Sequence, residues 1–184
     1  MSLFDRTKNQ ETTGGGNKSV SVAFDSMPET LAEFTALPQA AMTTPFDTAA
    51  LAVAALSAYS ISKDETVAML SYLRGPNTMT KPDVSFLAER MAQNNKAGFL
   101  GASYFDGATP ENEYTPAQPY TVTVSENPYS YENQGSAKLF IKSGGADSPR
   151  PVTMRQAKDG KWYLWEYSSL LLDIRVPEST NPWA

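Results

Sequence analysis

Apolar residues follow one period in the first half of this chain and another in the second. Between residues 27 and 95 they recur three or four apart, the spacing of one helix face; beyond residue 119 they alternate, the spacing of a half-buried strand. Four helices are expected before residue 96. A short one over 27–36 is opened by Ser26 with Glu29 three residues on, a capping box with Pro28 in the first turn, and must stop before Pro38. The second starts at Thr44, Pro45 and Asp47 and carries Phe46, Leu51, Val53, Leu56 and Tyr59, interleaved with six alanines between Ala49 and Ala58. Small residues on several sides imply close packing. Ser62 with Glu65 caps the third helix, whose stripe is Val67, Met69, Leu70 and Leu73, and Arg74-Gly75-Pro76 supplies a cation, a glycine and a proline in order to end it. Thr80 with Asp83 opens the fourth, which carries Val84, Phe86, Leu87 and Met91 and fades at Asn94 and Asn95.

Ser19 to Phe24 alternates in the manner of a short strand. Tyr120, Val122 and Val124 alternate with Thr121, Thr123 and Ser125, and Ala137, Leu139 and Ile141 with Lys138, Phe140 and Lys142. The sharpest local signal is Lys158-Asp159-Gly160-Lys161, where Asp-Gly between two alternating runs calls for a two-residue hairpin turn. With Lys158 opposite Lys161, Gln156 faces Tyr163, Met154 faces Trp165 and Val152 faces Tyr167 on the side expected to be core. The other side pairs Ala157 with Trp162, Arg155 with Leu164 and Thr153 with Glu166, leaving Arg155 diagonal to both Glu166 and Trp162. Leu170 to Val176 reads as a last strand with Leu170, Leu172, Ile174 and Val176 inward. Helices first and a meander afterwards predict an α+β domain, about four N-terminal helices packed on a C-terminal antiparallel sheet of four to five strands.

Residues 1–18 are polar and hold three consecutive glycines, a composition that cannot recover its ordering entropy by burying apolar surface. A flexible arm is expected there, ahead of a single domain over 19–184. A chain of 184 residues buries roughly two-thirds of its unfolded surface and needs no covalent staple. Its formal charge of −5 and pI near 4.8 disfavour a grip on phosphate backbones, so nucleic acid is not an expected partner. The longest apolar run, Ala49 to Leu56, is eight residues, far short of the roughly twenty that span hydrocarbon. Before Lys18 only Leu3 and Phe4 are sizeable apolar residues after the initiator, unlike a secretory signal, and Ser2 stands where myristoylation requires glycine. The expectation is a cytoplasmic chain with no membrane partner.

The chain has no cysteine and no histidine. That excludes Ser-His-Asp and Cys-His nucleophiles, a histidine base, and the ordinary zinc and non-haem iron sites. Carboxylate acid/base chemistry, a Tyr or Lys base, an oxygen-ligand metal site, or binding without chemistry remain; no cofactor and no metal are expected. In Lys142-Ser143-Gly144-Gly145-Ala146-Asp147-Ser148-Pro149-Arg150, glycines let backbone N–H groups converge on an anion while Lys142, Ser148 and Arg150 add charge and a hydroxyl. With no GKS/T ending and no following helix, the same stretch also reads as a plain connection between antiparallel strands. The segment 104–114 combines Asp106, Glu111 and Glu113 with aromatic rings inside the long aperiodic stretch 98–119, and reads either as a solvated acidic loop or as a calcium or glycan site. Tyr163, Trp165 and Tyr167 are either core or the lining of a ligand pocket.

The closing segment PVTMRQAKDGKWYLWEYSSLLLDIRVP, residues 151–177, resembles the final hairpin and strand of the cone-shaped proteins similar to nuclear transport factor 2, on strand order and aromatic content. The chain as a whole resembles members of a bacterial family of unknown function. Neither resemblance implies a catalytic residue. The leading expectation is a non-catalytic binding or assembly module that recruits a protein partner through the sheet face of Arg155, Trp162, Leu164 and Glu166, or through the N-terminal arm. Self-association by the same face is compatible with it. The alternative is a carboxylate enzyme working on a small molecule in a helix-sheet cavity, with Glu166 or Asp173 as base and a tyrosine as donor. A buried carboxylate facing a cavity favours the enzyme; a solid apolar interior favours the module.

Overall fold

The computed structural model describes residues 17–184, so the expected arm lies outside the described residues except for Asn17 and Lys18. Five antiparallel strands stand side by side in chain order: β1 (Ser19–Phe24), β2 (Tyr120–Ser125), β3 (Ser136–Ile141), β4 (Arg150–Gln156) and β5 (Trp162–Glu166). The helices α1 (Leu31–Ala36), α2 (Pro45–Ser57), α3 (Lys63–Arg74) and α4 (Lys81–Ala92) all lie between β1 and β2 in the chain. The fold is α+β as expected, with one difference in plan. β1 precedes the helices and pairs along its whole length with β2, from Ser19 opposite Ser125 to Phe24 opposite Tyr120, so one sheet edge is N-terminal.

The inward sets follow the alternation in the sequence: Val22 and Phe24, Val122 and Val124, Ala137, Leu139 and Ile141, Val152 and Met154 are all buried. Against them lies α2, in which every residue from Pro45 to Leu56 except Asp47 is buried. A helix apolar on all sides must be enclosed. α2 touches all five strands and, elsewhere on its surface, α3 and the 3-10 turn Ala102–Tyr104, a closeness its alanines permit. Thr48 and Thr66, both fully buried, donate hydroxyls to the carbonyls of Trp162 (2.6 Å) and Ala55 (2.9 Å), so neither leaves a polar atom unmatched.

Thr44, Ser62 and Thr80 cap α2, α3 and α4 as the sequence predicts. The first helix is shorter than expected. Its cap is Thr30, whose hydroxyl accepts the Glu33 N–H while the Glu33 carboxylate accepts the Glu29 N–H. Thr30 and Glu33 offer the same four-residue pattern as Ser26 and Glu29, and starting there still buries Phe34 completely.

The hairpin departs from its predicted register, for a reason visible in the turn. Ala157 N–H donates to the Lys161 carbonyl and Gly160 N–H to the Ala157 carbonyl, a three-residue loop in which Gly160 alone has positive φ (83°). A two-residue type I′ turn needs positive φ at both Asp159 and Gly160. The Asp159 carboxylate instead accepts the Lys161 N–H (2.9 Å) and the Tyr163 hydroxyl (2.7 Å). Pairing slips by one, placing Gln156 opposite Trp162, Arg155 opposite Tyr163 and Met154 opposite Leu164, until a bulge at Trp165 restores Thr153 opposite Glu166.

The expected last strand is absent from residues 170–176, which form the end of a 3-10 turn (Ser168–Leu171) and an irregular segment. Leu170 and Leu171 are both fully buried, and a strand cannot bury two successive side chains on one face. The long stretch 98–119 is likewise part of the core. β2 and β3 pair only at Val124–Ile141 and Ser125–Phe140, and where they diverge the Asp106 N–H bonds the Thr121 carbonyl (2.8 Å), while Leu100, Tyr104, Phe105, Ala108 and Tyr114 are buried. Among the described residues no helix is long and apolar enough to cross a membrane.

Candidate functional site

The glycine loop after β3 turns its N–H groups to partners within the fold. The Gly144 N–H donates to the Ser103 carbonyl (2.8 Å) and the Gly145 N–H to the Ser143 hydroxyl (3.1 Å), so the two groups expected to converge on an anion already have partners. Arg150 donates to the carbonyls of Ser169 (3.1 Å) and Asp173 (2.8 Å), and Lys142 and Ser148 are exposed. Gly144 is required by a close approach: a Cβ there would lie 1.9 Å from the Ala108 carbonyl oxygen. The plain connecting role is the one the loop performs, fastening β3 to the stretch 98–119.

In that stretch Asp106 accepts the Thr123 hydroxyl and Glu113 accepts both the N–H and the hydroxyl of Ser179. Among the described residues no group of three or more acidic side chains is placed to hold a metal ion. The carboxylates named for catalysis are also engaged. Glu166 accepts the Ser168 N–H (2.7 Å); Asp173 accepts the Lys96 ammonium (2.7 Å) and the Asn94 amide (3.1 Å). Desolvation raises the pKa of Asp47, against a hydrogen bond from Thr44 that lowers it. Asp47 lines neither of two surface cavities. One is an apolar groove of about 190 Å³ beside the end of α2, lined by Met27, Pro28, Ile61, Phe105 and Tyr120 among others; the second, of about 470 Å³, is bordered by Glu111, Arg175 and Asn181 near the C-terminus. The buried side chains of α2 and of the inner sheet face belong to one apolar cluster.

Of the four residues expected to form a partner surface, Leu164 is fully buried opposite Met154, because the slipped register turns it inward. Trp162 is half-buried; its N–H donates to the Met42 carbonyl (2.9 Å), so the start of α2 closes this sheet edge. The C-terminal tail does not cover Trp162 in a packed arrangement of its own, as Trp183 is 91% exposed. Arg155 and Glu166 are exposed, yet they form no ion pair with each other. The residue missing from the quartet is Trp165. The slipped register turns it outward, 47% exposed, and the Arg155 guanidinium stacks 4.4 Å from its ring centroid. Asp-Gly also suits a three-residue loop with glycine in the left-handed position, which is the one signal that leads to this arrangement.

By slipping the pairing one place, the three-residue loop exchanges the roles of Leu164 and Trp165. What it exposes is a flat ring with a cation fixed on it, next to Lys138, which stands opposite Thr153 on β3. No curated protein and no solved structure matches the chain, so no comparison carries the likeness of residues 151–177 to the cone-shaped proteins. A family model described as a domain of unknown function (DUF6935) matches residues 26–178, and the chain belongs to that family.

Proposed function

We propose that this protein is a binding module that recruits a protein partner through the outer face of β4 and β5, centred on Trp165 and Arg155. The observation that carries the reading is the three-residue hairpin loop, whose one-residue slip turns a tryptophan out of a position where a two-residue hairpin would bury it. Large rings and arginine are the residues that most often dominate interfaces. The apolar character of the core between α2 and the sheet and the engaged carboxylates weigh against the enzyme alternative.

The test is affinity capture with the purified full chain, comparing wild type with Trp165→Ala and rebuilding any complex from purified components. A specific partner should bind the variant at least tenfold more weakly, while the variant keeps the wild-type circular dichroism spectrum. Partners retained equally by both forms would place the binding surface elsewhere.

A further inference from the structure

Residues 136–166, which comprise β3, β4, β5 and their connections, carry six lysines and arginines against three acidic residues, a net charge of +3 inside a chain of −5. The three carboxylates are occupied within the fold: Asp147 by Arg175 (2.7 Å), Asp159 by the Tyr163 hydroxyl and the Lys161 N–H, and Glu166 by the Ser168 N–H. Neither Arg155 nor Lys138 forms an ion pair among the described residues. The register places these two cations close together. Lys138 stands opposite Thr153, and Arg155 is two residues further along β4, so they are diagonal neighbours on one face, about 7 Å apart.

The stack on Trp165 decides what Arg155 can take. A guanidinium lying over a ring is held in one plane with its N–H edges uncovered, the disposition that grips a carboxylate through two parallel hydrogen bonds. We infer that the partner presents an acidic segment, with carboxylates on Arg155 and Lys138 and an apolar side chain on the open part of the Trp165 ring. This rests on the reading of the Trp165 face as a binding surface. Phosphates would satisfy the same cations, but a nucleic acid must pass the rest of the chain, which carries a net −8, whereas a short acidic segment meets only the basic patch.

The experiment is selection of random decapeptides displayed on phage against the immobilised full chain, with counter-selection on Trp165→Ala. Synthetic copies of the selected peptides, and oligodeoxythymidine of ten nucleotides, are then measured by fluorescence anisotropy. Expected are peptides rich in Asp and Glu whose affinity falls at least tenfold with Arg155→Gln and severalfold with Lys138→Gln, and which weaken as salt is raised. Both side chains are exposed, so Lys138→Gln should melt with wild type and Arg155→Gln, which loses its stack on Trp165, should still fold with only a small drop in melting temperature, while Arg155→Lys should recover only part of the binding. Selected peptides without carboxylates, or indifferent to Arg155→Gln, would refute the acidic partner while leaving the Trp165 surface in place. Failure to select any Trp165-dependent peptide would remove both. Oligonucleotide binding that is tighter than peptide binding and depends on Arg155 would overturn the inference in favour of nucleic acid.

Discussion

Replacing Leu164 with alanine should destabilise this protein more than replacing the larger Trp165. Leu164 is fully buried opposite Met154, on the side of the sheet that α2 covers, so Leu164→Ala leaves a cavity that a packed helix cannot collapse into, at a cost of about 3–4 kcal/mol. A tryptophan covers up to about 250 Å² when packed. With 47% of Trp165 exposed, about 130 Å² is covered, of which an alanine keeps about 50 Å². The remaining ~80 Å² corresponds to less than about 2 kcal/mol, because the unfolded chain already hides part of it. Loss of the Arg155 stack adds about 0.5–1 kcal/mol at an exposed site, for a total near 2 kcal/mol. Urea denaturation followed by circular dichroism separates the two. At a slope of about 2 kcal/mol/M, Leu164→Ala should lower the midpoint by about 1.5–2 M and Trp165→Ala by about 1 M or less. The unbroken two-residue hairpin makes the opposite forecast, because a buried tryptophan costs about 3–5 kcal/mol on truncation and an outward leucine far less. A larger loss at Trp165 than at Leu164 would refute the bulged register.

Gly144→Ala drives a Cβ to 1.9 Å from the Ala108 carbonyl and strains the Gly144–Ser103 hydrogen bond, and should cost about 2–4 kcal/mol; Gly98→Ala, with nothing within 4 Å, should stay within about 0.5 kcal/mol. Thermal melts of the two variants that coincide would contradict the close fit of the loop after β3. The Lys96–Asp173 pair is lopsided, with the lysine side chain 2% exposed and the aspartate 57%. Asp173→Asn strands a buried ammonium and should cost about 2 kcal/mol or more, whereas Lys96→Met removes the charge with its cavity filled and should fall within about 1 kcal/mol of wild type. Chemical denaturation giving the reverse order would show that the pair contributes as a whole and not through the burial of Lys96.

Local patterns were legible wherever one short stretch held all the information. Thr44, Ser62 and Thr80 announce their helices because a capping hydroxyl and the N–H it accepts lie three residues apart. The alternation of β2, β3 and β4 announces their inward faces because one side of the sheet meets α2 and the other does not. Where two stretches offered equivalent signals the choice went astray, as with Ser26–Glu29 against Thr30–Glu33. The four residues expected on one face divide for a related reason. Arg155 and Glu166 were placed outside correctly, but one residue added to the hairpin loop turned Leu164 in and Trp165 out, since side chains in a strand alternate strictly.

By itself the sequence determined the class of the fold, the count of its helices, the inward residues of β2 and β3 with Val152 and Met154 of β4, and the chemistries that lack of histidine and cysteine forbids. These depend on composition and on neighbours a few residues apart. Tertiary structure decided the rest. Gly144 and Gly145 look like an anion loop until the Gly144 N–H meets the Ser103 carbonyl, the Gly145 N–H the Ser143 hydroxyl, and Ala108 the space a side chain at 144 would need. Leu170 to Val176 looks like a strand until Leu170 and Leu171 must both be buried and Arg150 claims the nearby carbonyls. The direction of Trp165 depends on the hairpin closing as a three-residue loop, with the Asp159 carboxylate holding the Lys161 N–H and the Tyr163 hydroxyl, contacts whose balance only the packed chain resolves.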